Sequence, residues 1–396
     1  MEGIDRSLVW TGQLNEQALA AAGRTPPRAR FYDTTLRDGE QSVGVMFDPQ
    51  QKLEIACLLD GLGVGRIEAG FPRVSEDDRI AIAEIMKAGL KAEIWGFARA
   101  MVEDVDAVAD LGMRFSVVEA PISDLKLGAL GVSREQVLTR IRTAVSHAVS
   151  RGLHVAFFGV DSTRADLDFY EQVYKTARDA GAKEFVIVDT IAIATPEAVS
   201  YLIGRTREWL GADAVLHFHG HNDFGMATAC AVAALQAGAS WVHGTIDGIG
   251  ERAGNANLPE IALALELLYG ASTGMRFDRV RAASERLRQI AGYQLEPWKS
   301  VVGENLFVRE TGAVAAQFHI PEAIEPYSST LLATRRGIVL GKKSGVASIK
   351  LKCEELGLDA PASAHGRLLE DVKALALRHK RLVSDDEFRT LVHASA

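Results

Sequence analysis

Two histidines stand two residues apart in FHGHND, at positions 219 and 221. In an extended chain that spacing turns both imidazoles to one side, where they can share one divalent cation. A second such pair overlaps the first, because His217 and His219 flank Phe218. His217 is therefore a rival for one ligand position, and on spacing alone either pair also suits a polar strand terminus. A second group of chemically useful residues sits in DTTLRDGEQ, 33–41, where Arg37 and Asp38 precede Gly39. The glycine lets a backbone approach closely. Asp38 would add a carboxylate to the two imidazoles and leave positions open for substrate oxygens and water. Arg37 would hold a fixed cation against an oxyanion forming at the metal. A third stretch, GIGERAGNANL at 248–258, has the glycines and the Asn255 of a loop wrapped around a ligand.

Such residues need a frame that brings 38, 219, 221 and 255 together. From residue 30, short β-branched or aromatic runs recur every 20 to 40 residues. They are Phe31–Asp33, Arg66–Gly70, Glu93–Phe97, Arg114–Glu119, His154–Phe158, Glu184–Asp189, Ala214–His219 and Trp241–Ile246. Amphipathic stretches separate them, among them Pro49–Leu62, Arg134–Ser150, Ala165–Ala180, Pro196–Leu210 and Met226–Ala237. Strict alternation implies a parallel sheet, and eight strands favour a closed (β/α)8 TIM barrel over an open doubly wound sheet. In a closed barrel strand 1 lies beside strand 8 and one strand from strand 7. Asp38 and the histidines then meet at the carboxyl end, where barrel enzymes build their sites.

After about residue 270 the rhythm stops. The expected organisation is a loosely attached N-terminal arm over 1–29, a catalytic barrel over 30–272, and a smaller, mostly helical C-terminal region over 273–396. Within the last, 295–340 is poorly periodic and too long for a connector, which suggests a lid or a dimerisation segment.

Composition narrows the partners. Lys and Arg sum to 44 against 52 Asp and Glu, a formal charge of −8, so there is no basic footprint for nucleic acid or for an anionic membrane. No uncharged apolar run approaches the ~18 residues of a membrane span. The N-terminus lacks the pattern of a secretory signal. Three cysteines, 57, 230 and 353, form neither a disulfide framework nor a CxxC site, and a cytoplasmic protein is expected.

DTTLRDGEQ, IEAGFP (67–72), HGHNDFG (219–225) and GIGERAGN (248–255) together resemble the signatures of the metal-dependent lyase and synthase family that includes homocitrate synthase, isopropylmalate synthase, citramalate synthase and hydroxymethylglutaryl-CoA lyase. The resemblance runs from about residue 30 to 355, and GENLF (303–307), IEPY (324–327) and CEELGL (353–358) look like homocitrate synthase. It implies a divalent metal ion (Mg, Mn or Zn) on Asp38, His219 and His221, with Asn255 near it. It also implies that Arg37 steadies an enolate or carbonyl oxygen, and that Glu68 and Thr190 line an oxo-acid pocket. The implied substrates are an acyl-CoA and a 2-oxo acid, in a homodimer whose helical region covers the partner's barrel mouth.

The chain departs from the synthase pattern at acid–base positions. Val160, in FFGVDSTR, stands where those synthases carry a Glu, and Val314, in ETGAVAAQFH, where a His belongs. His319 falls near a Tyr used by relatives and is the candidate substitute. The positions that read a second carboxylate in homocitrate synthases correspond to Phe97, Ala156 and Phe158, which favours an apolar oxo acid, since a buried unpaired carboxylate is costly. Three readings follow: an acyltransferase joining an acyl-CoA to an apolar 2-oxo acid, a carbon–carbon lyase or aldolase running the reverse chemistry, and a non-catalytic binder of metal and oxo acid. A malonyl-type donor would relieve the first of its need for a methyl base. The lyase branch commonly uses a cysteine in the loop after strand 8, and 248–258 has none.

Overall fold

The computed structural model describes residues 4–395. Eight parallel strands close into a barrel in chain order: β1 (Phe31–Asp33), β2 (Arg66–Gly70), β3 (Glu93–Arg99), β4 (Phe115–Pro121), β5 (His154–Val160), β6 (Glu184–Asp189), β7 (Val215–Gly220) and β8 (Trp241–Gly244). Closure is made by β1, which pairs with β2 on one side and with β8 on the other, Tyr32 lying opposite His243. The outer helices begin where the sequence supplies caps. Helix Pro49–Leu62 has Asp48 and Gln51 in a reciprocal capping box, proline in its first turn, and Gly63 in the left-handed conformation at its end. Ser133 and Gln136 cap Arg134–Ser150 in the same way.

The barrel interior is aromatic and layered, with Tyr32, Trp95, Phe97, Val117, Ala156 and Phe158 in one cluster. Its lower layer is closed by charge. The Arg66 guanidinium lies 4.6 Å from the Trp95 ring centre and 3.8 Å from that of Trp241, and it donates to both oxygens of Glu184 at 2.5 and 3.0 Å. His154 and His217 complete the shell of that carboxylate at 2.8 and 2.7 Å. Burial alone would raise Glu184, but these hydrogen bonds hold it well below the usual carboxylate range.

The described chain forms two compact units, one of residues 13–294 and one of residues 4–12 with 295–395. This division differs from the sequence expectation at both ends of the barrel. Helix Phe277–Ala291 packs on helix Pro49–Leu62, where Arg286 clasps Glu54 at 2.5 and 2.8 Å, so it belongs with the barrel. In the N-terminal region Leu14–Ala21 is helical, and Val9 pairs with Tyr327 in the second unit.

The second unit has a core of its own, including Ile349, Leu368, Val372 and Phe388. Its irregular stretch is ordered by Glu325, a buried carboxylate to which Arg336 donates at 2.8 and 3.0 Å, and by a two-stranded pairing of 308–309 with 337–338. No helix among the described residues is long and apolar enough to cross a membrane.

Candidate active site

The turn after β1 winds back over the strand end. The Thr34 carbonyl accepts from the backbone N–H groups of Arg37, Asp38 and Gly39 at 3.1, 2.8 and 3.0 Å. That turn brings Asp38 to the end of β7, where the alternation of the strand places His219, with His221 just beyond. All three are buried, at 1, 2 and 6% exposure. Nε2 of His219 lies 3.1 Å from Asp38 Oδ2, and Nε2 of His221 lies 3.7 Å from it. One donor atom from each of the three falls within 4.8 Å of the others. Neither approach is a hydrogen bond, and Oδ2 is buried without a hydrogen-bonding partner.

A backbone bridge between His221 and Asn255 carries the loop after β8 to the same place. Asn255 donates from Nδ2 to the Ile249 carbonyl at 3.2 Å, while its Oδ1 is orphaned like Asp38 Oδ2. Buried oxygens without partners are costly. A divalent cation would satisfy both, and imidazole, carboxylate and amide oxygen form a donor set that such ions accept. The residues present therefore fit a divalent metal without choosing among Mg, Mn and Zn. Charge agrees with this. Burial would raise Asp38, but Arg37 and the two histidines hold it well below the usual range. Burial, then His219, presses His221 down to about 4 against the pull of Asp38. An anionic carboxylate and a neutral imidazole are the ligating forms.

Arg37 is fixed from three directions. It donates to Glu68 at 3.1 Å, lies 3.6 Å from Asp38, and stacks 4.5 Å from the centre of the Phe97 ring. Phe158 meets Phe97 edge-on at 6.0 Å. Beyond this group opens a cavity of about 490 Å³. Phe97, Phe158, Val160 and Val188 form an apolar wall, and Thr190, Glu119 and Lys126 supply polar atoms. Thr190 Oγ1 accepts from the Asp161 N–H at 2.7 Å.

The HMGL-like family model matches residues 28–287. The chain belongs to the HMGL-like family. Among curated members, it is 42% identical to homocitrate synthase AksA of Methanopyrus kandleri, over 93% of this chain and 92% of that one. It is 39% identical to a putative (R)-citramalate synthase CimA of Archaeoglobus fulgidus, over 92% of this chain and 75% of that one. It is 37% identical to a 2-isopropylmalate synthase of Methanocaldococcus jannaschii, over 91% and 70%. The HMG-CoA lyase structure from Bacillus subtilis superposes with a TM-score of 0.62 at 18% identity, covering 69% of this chain and 96% of that one. At that identity the likeness is one of fold.

Of the residues singled out from this HMGL-like sequence, Arg37, Asp38, Phe97, Phe158, Thr190, His219 and His221 line one cavity. Ala156 does not. It faces inward like Phe158 but a layer deeper, fully buried and paired in register with Val117 and Glu184. Glu68 is fully buried behind Arg37, which donates to it, and does not line the cavity. His319 lies exposed in the second unit. His217 is committed to Glu184 and, at 3.0 Å, to His243. The glycines of 248–258 pack on their own loop: a Cβ on Gly254 would come within 2.1 Å of the Gly248 carbonyl, and one on Gly250 within 2.0 Å of Asn255 Nδ2.

Cavity groups that the sequence motifs did not mark include Lys52, Lys126 and Glu119. Lys52 is the fourth residue of helix Pro49–Leu62, buried between Asp78 and Glu40, with no local signal to mark it. Glu119 was legible: it follows the inward Val117 by two residues at the carboxyl end of β4, which makes it an inward carboxyl on the face that bears chemistry.

Proposed function

We propose that this protein is a divalent-metal-dependent acyltransferase that joins an acyl-CoA to a 2-oxo acid with an apolar side chain. The observation that carries the reading is the convergence of Asp38, His219 and His221 on a cavity whose wall is Phe97 and Phe158. Asp38, His219, His221 and the Asn255 amide would hold the cation, which supplies a Lewis acid for the ketone of the oxo acid when bound. Arg37, braced by Glu68 and Phe97, presents its positive charge where the ketone oxygen becomes an alkoxide. A well-placed donor in a dry site contributes about 3 kcal/mol to such a step. Thr190 is the neutral polar group on the same wall and orients the oxo acid's own carboxylate. Phe97 and Phe158 exclude water and leave a second carboxylate without a donor on that wall.

The named relatives make different products, so kinship alone does not choose the oxo acid; the apolar wall supports this choice. We further propose that residues 295–340 complete the cavity of a partner subunit in a homodimer. The three free cysteines agree with a cytoplasmic setting.

The test is thiol release from acetyl-CoA by protein loaded with Mg or Mn, with 2-oxoisovalerate and bulkier apolar acids compared with 2-oxoglutarate. Faster turnover or tighter binding of 2-oxoglutarate overturns the pocket assignment. Failure with every oxo acid, together with cleavage of a branched hydroxyacyl-CoA, replaces the synthase reading with the lyase.

A further inference from the structure

Condensation of an acyl-CoA with a ketone needs a group to take a proton from the carbon beside the thioester. Arg37 is held positive: burial would lower it, but Glu68 and Asp38 outweigh that and raise it. Val160 lines the cavity at the carboxyl end of β5 and has no proton-accepting atom.

One strand away stands a carboxyl that no structural contact uses. Strand register sets Val117 opposite Phe97 and Ala156, and sets Glu119, two residues on, opposite Arg99 and Phe158. Side chains opposite one another in parallel strands share a face. Glu119 therefore rises from the inner wall beside Phe158, and it lines the same cavity as Arg37, Val160 and His219. Its carboxyl makes no hydrogen bond and no ion pair among the described residues. Arg99, its register neighbour, is committed to Asp104 at 2.6 and 3.0 Å. A partly buried carboxylate kept for stability would be paired; this one faces only the cavity.

We propose that Glu119 is the catalytic base that deprotonates the acyl donor. The inference rests on the acyltransferase reading above. In the step, the C–H bond beside the thioester carbonyl breaks and its proton passes to a Glu119 oxygen, while the electron pair remains as the enolate. The enolate carbon then bonds to the ketone carbon of the oxo acid, and the carbonyl π pair moves onto the oxygen beside Arg37. That oxygen takes up a proton through solvent, and Glu119 gives its own back to solvent, so protons balance over the condensation. Hydrolysis of the thioester by water follows and is not assigned to Glu119.

The charged surroundings suit a base that works near neutrality. Burial pushes Glu119 up to about 7, helped by Asp104 and opposed by Arg37, Arg99 and Lys126. β5 adds only Phe158 and Val160 beside it. General bases are most effective when their pKa lies near the working pH.

The experiment compares wild type, Glu119→Gln and Glu119→Asp, each loaded with Mn. Wild-type kcat/KM should rise with pH through an apparent pKa near 7. Glu119→Gln should lose about 10²–10⁴-fold in kcat together with that limb, while oxo-acid affinity stays within about threefold. Glu119→Asp, which keeps the carboxyl, should recover part of the rate. Without any substrate, a wild-type-minus-Gln infrared difference should show a carboxyl band that disappears with a midpoint near pH 7. An active Glu119→Gln protein with the wild-type pH profile overturns the assignment and leaves the acyltransferase reading intact. So does use of malonyl-type donors alone, which need no base, or absence of the infrared band. A wild-type protein inactive with every acyl-CoA and oxo-acid pair overturns both.

Discussion

His217 and His219 differ by one turn of the strand pleat, and removing them should have opposite consequences. His217 is fully buried, with one nitrogen on Glu184 at 2.7 Å and the other on His243 at 3.0 Å. Its replacement by Ala leaves a cavity beside Glu184 and strips one partner from that carboxylate, although Arg66 and His154 remain. Lost hydrogen bonding of about 1–3 kcal/mol and a partly collapsed cavity put the total cost at about 2–4 kcal/mol. His219→Ala removes a proposed metal ligand instead. A cation at about 100 times its Kd stabilises the folded state by about 2.7 kcal/mol, so the variant should lose that increment. Thermal melts with and without Mn or Mg, paired with metal counting by mass spectrometry, separate the two. His217→Ala should melt lower than wild type in the apo form and still rise on adding metal. His219→Ala and His221→Ala should show no rise. If His217→Ala alone abolishes the metal response, the assignment of ligands on β7 is wrong.

Asp33, fully buried on β1, is pushed up to about 7 by burial, against hydrogen bonds from Thr35 and with Glu68 adding to the rise. Its folded form binds a proton more tightly than its unfolded form, so wild type should lose stability as pH rises from about 4 to 7. Denaturant melts of wild type and Asp33→Asn across that range should diverge in slope, with the variant gaining on wild type at higher pH; parallel curves would refute this. Sedimentation should give a dimer at micromolar concentration, and a stable monomer would refute the shared-cavity assembly.

The barrel was legible because its strands carry β-branched or aromatic runs that alternate with amphipathic helical stretches. The histidine pair and Asp38 were legible because their spacing and their place at strand ends agree. Depth was not. Alternation says that Ala156 and Phe158 share a face, but only register with Val117 and Glu119 tells which lies in the core and which in the cavity. Glu119 could be read by the same alternation, two residues after the inward Val117, near the end of a strand that continues to Pro121. The helix Leu14–Ala21 buries no residue, so no periodic apolar stripe announces it. Helix Phe277–Ala291 does have such a stripe, but nothing local says that its partner is Pro49–Leu62.

Phe97 holds two duties at once. Its ring is the wall against which an oxo acid's side chain would rest, and it is also the platform under the Arg37 guanidinium, 4.5 Å away. If the proposed roles hold, selectivity and rate are not independent traits in this barrel. On the proposed function, a variant that trims Phe97 to admit a larger substrate should also unseat the Arg37 cation, so broadened specificity should arrive as a slower enzyme unless a second change restores the platform. Divergence toward new oxo acids should then proceed through paired substitutions on β3 and β5, or begin at Phe158, whose ring lies farther from the guanidinium, at 5.9 Å. The geometry of one stacked ring thus constrains the order in which this pocket can be rebuilt.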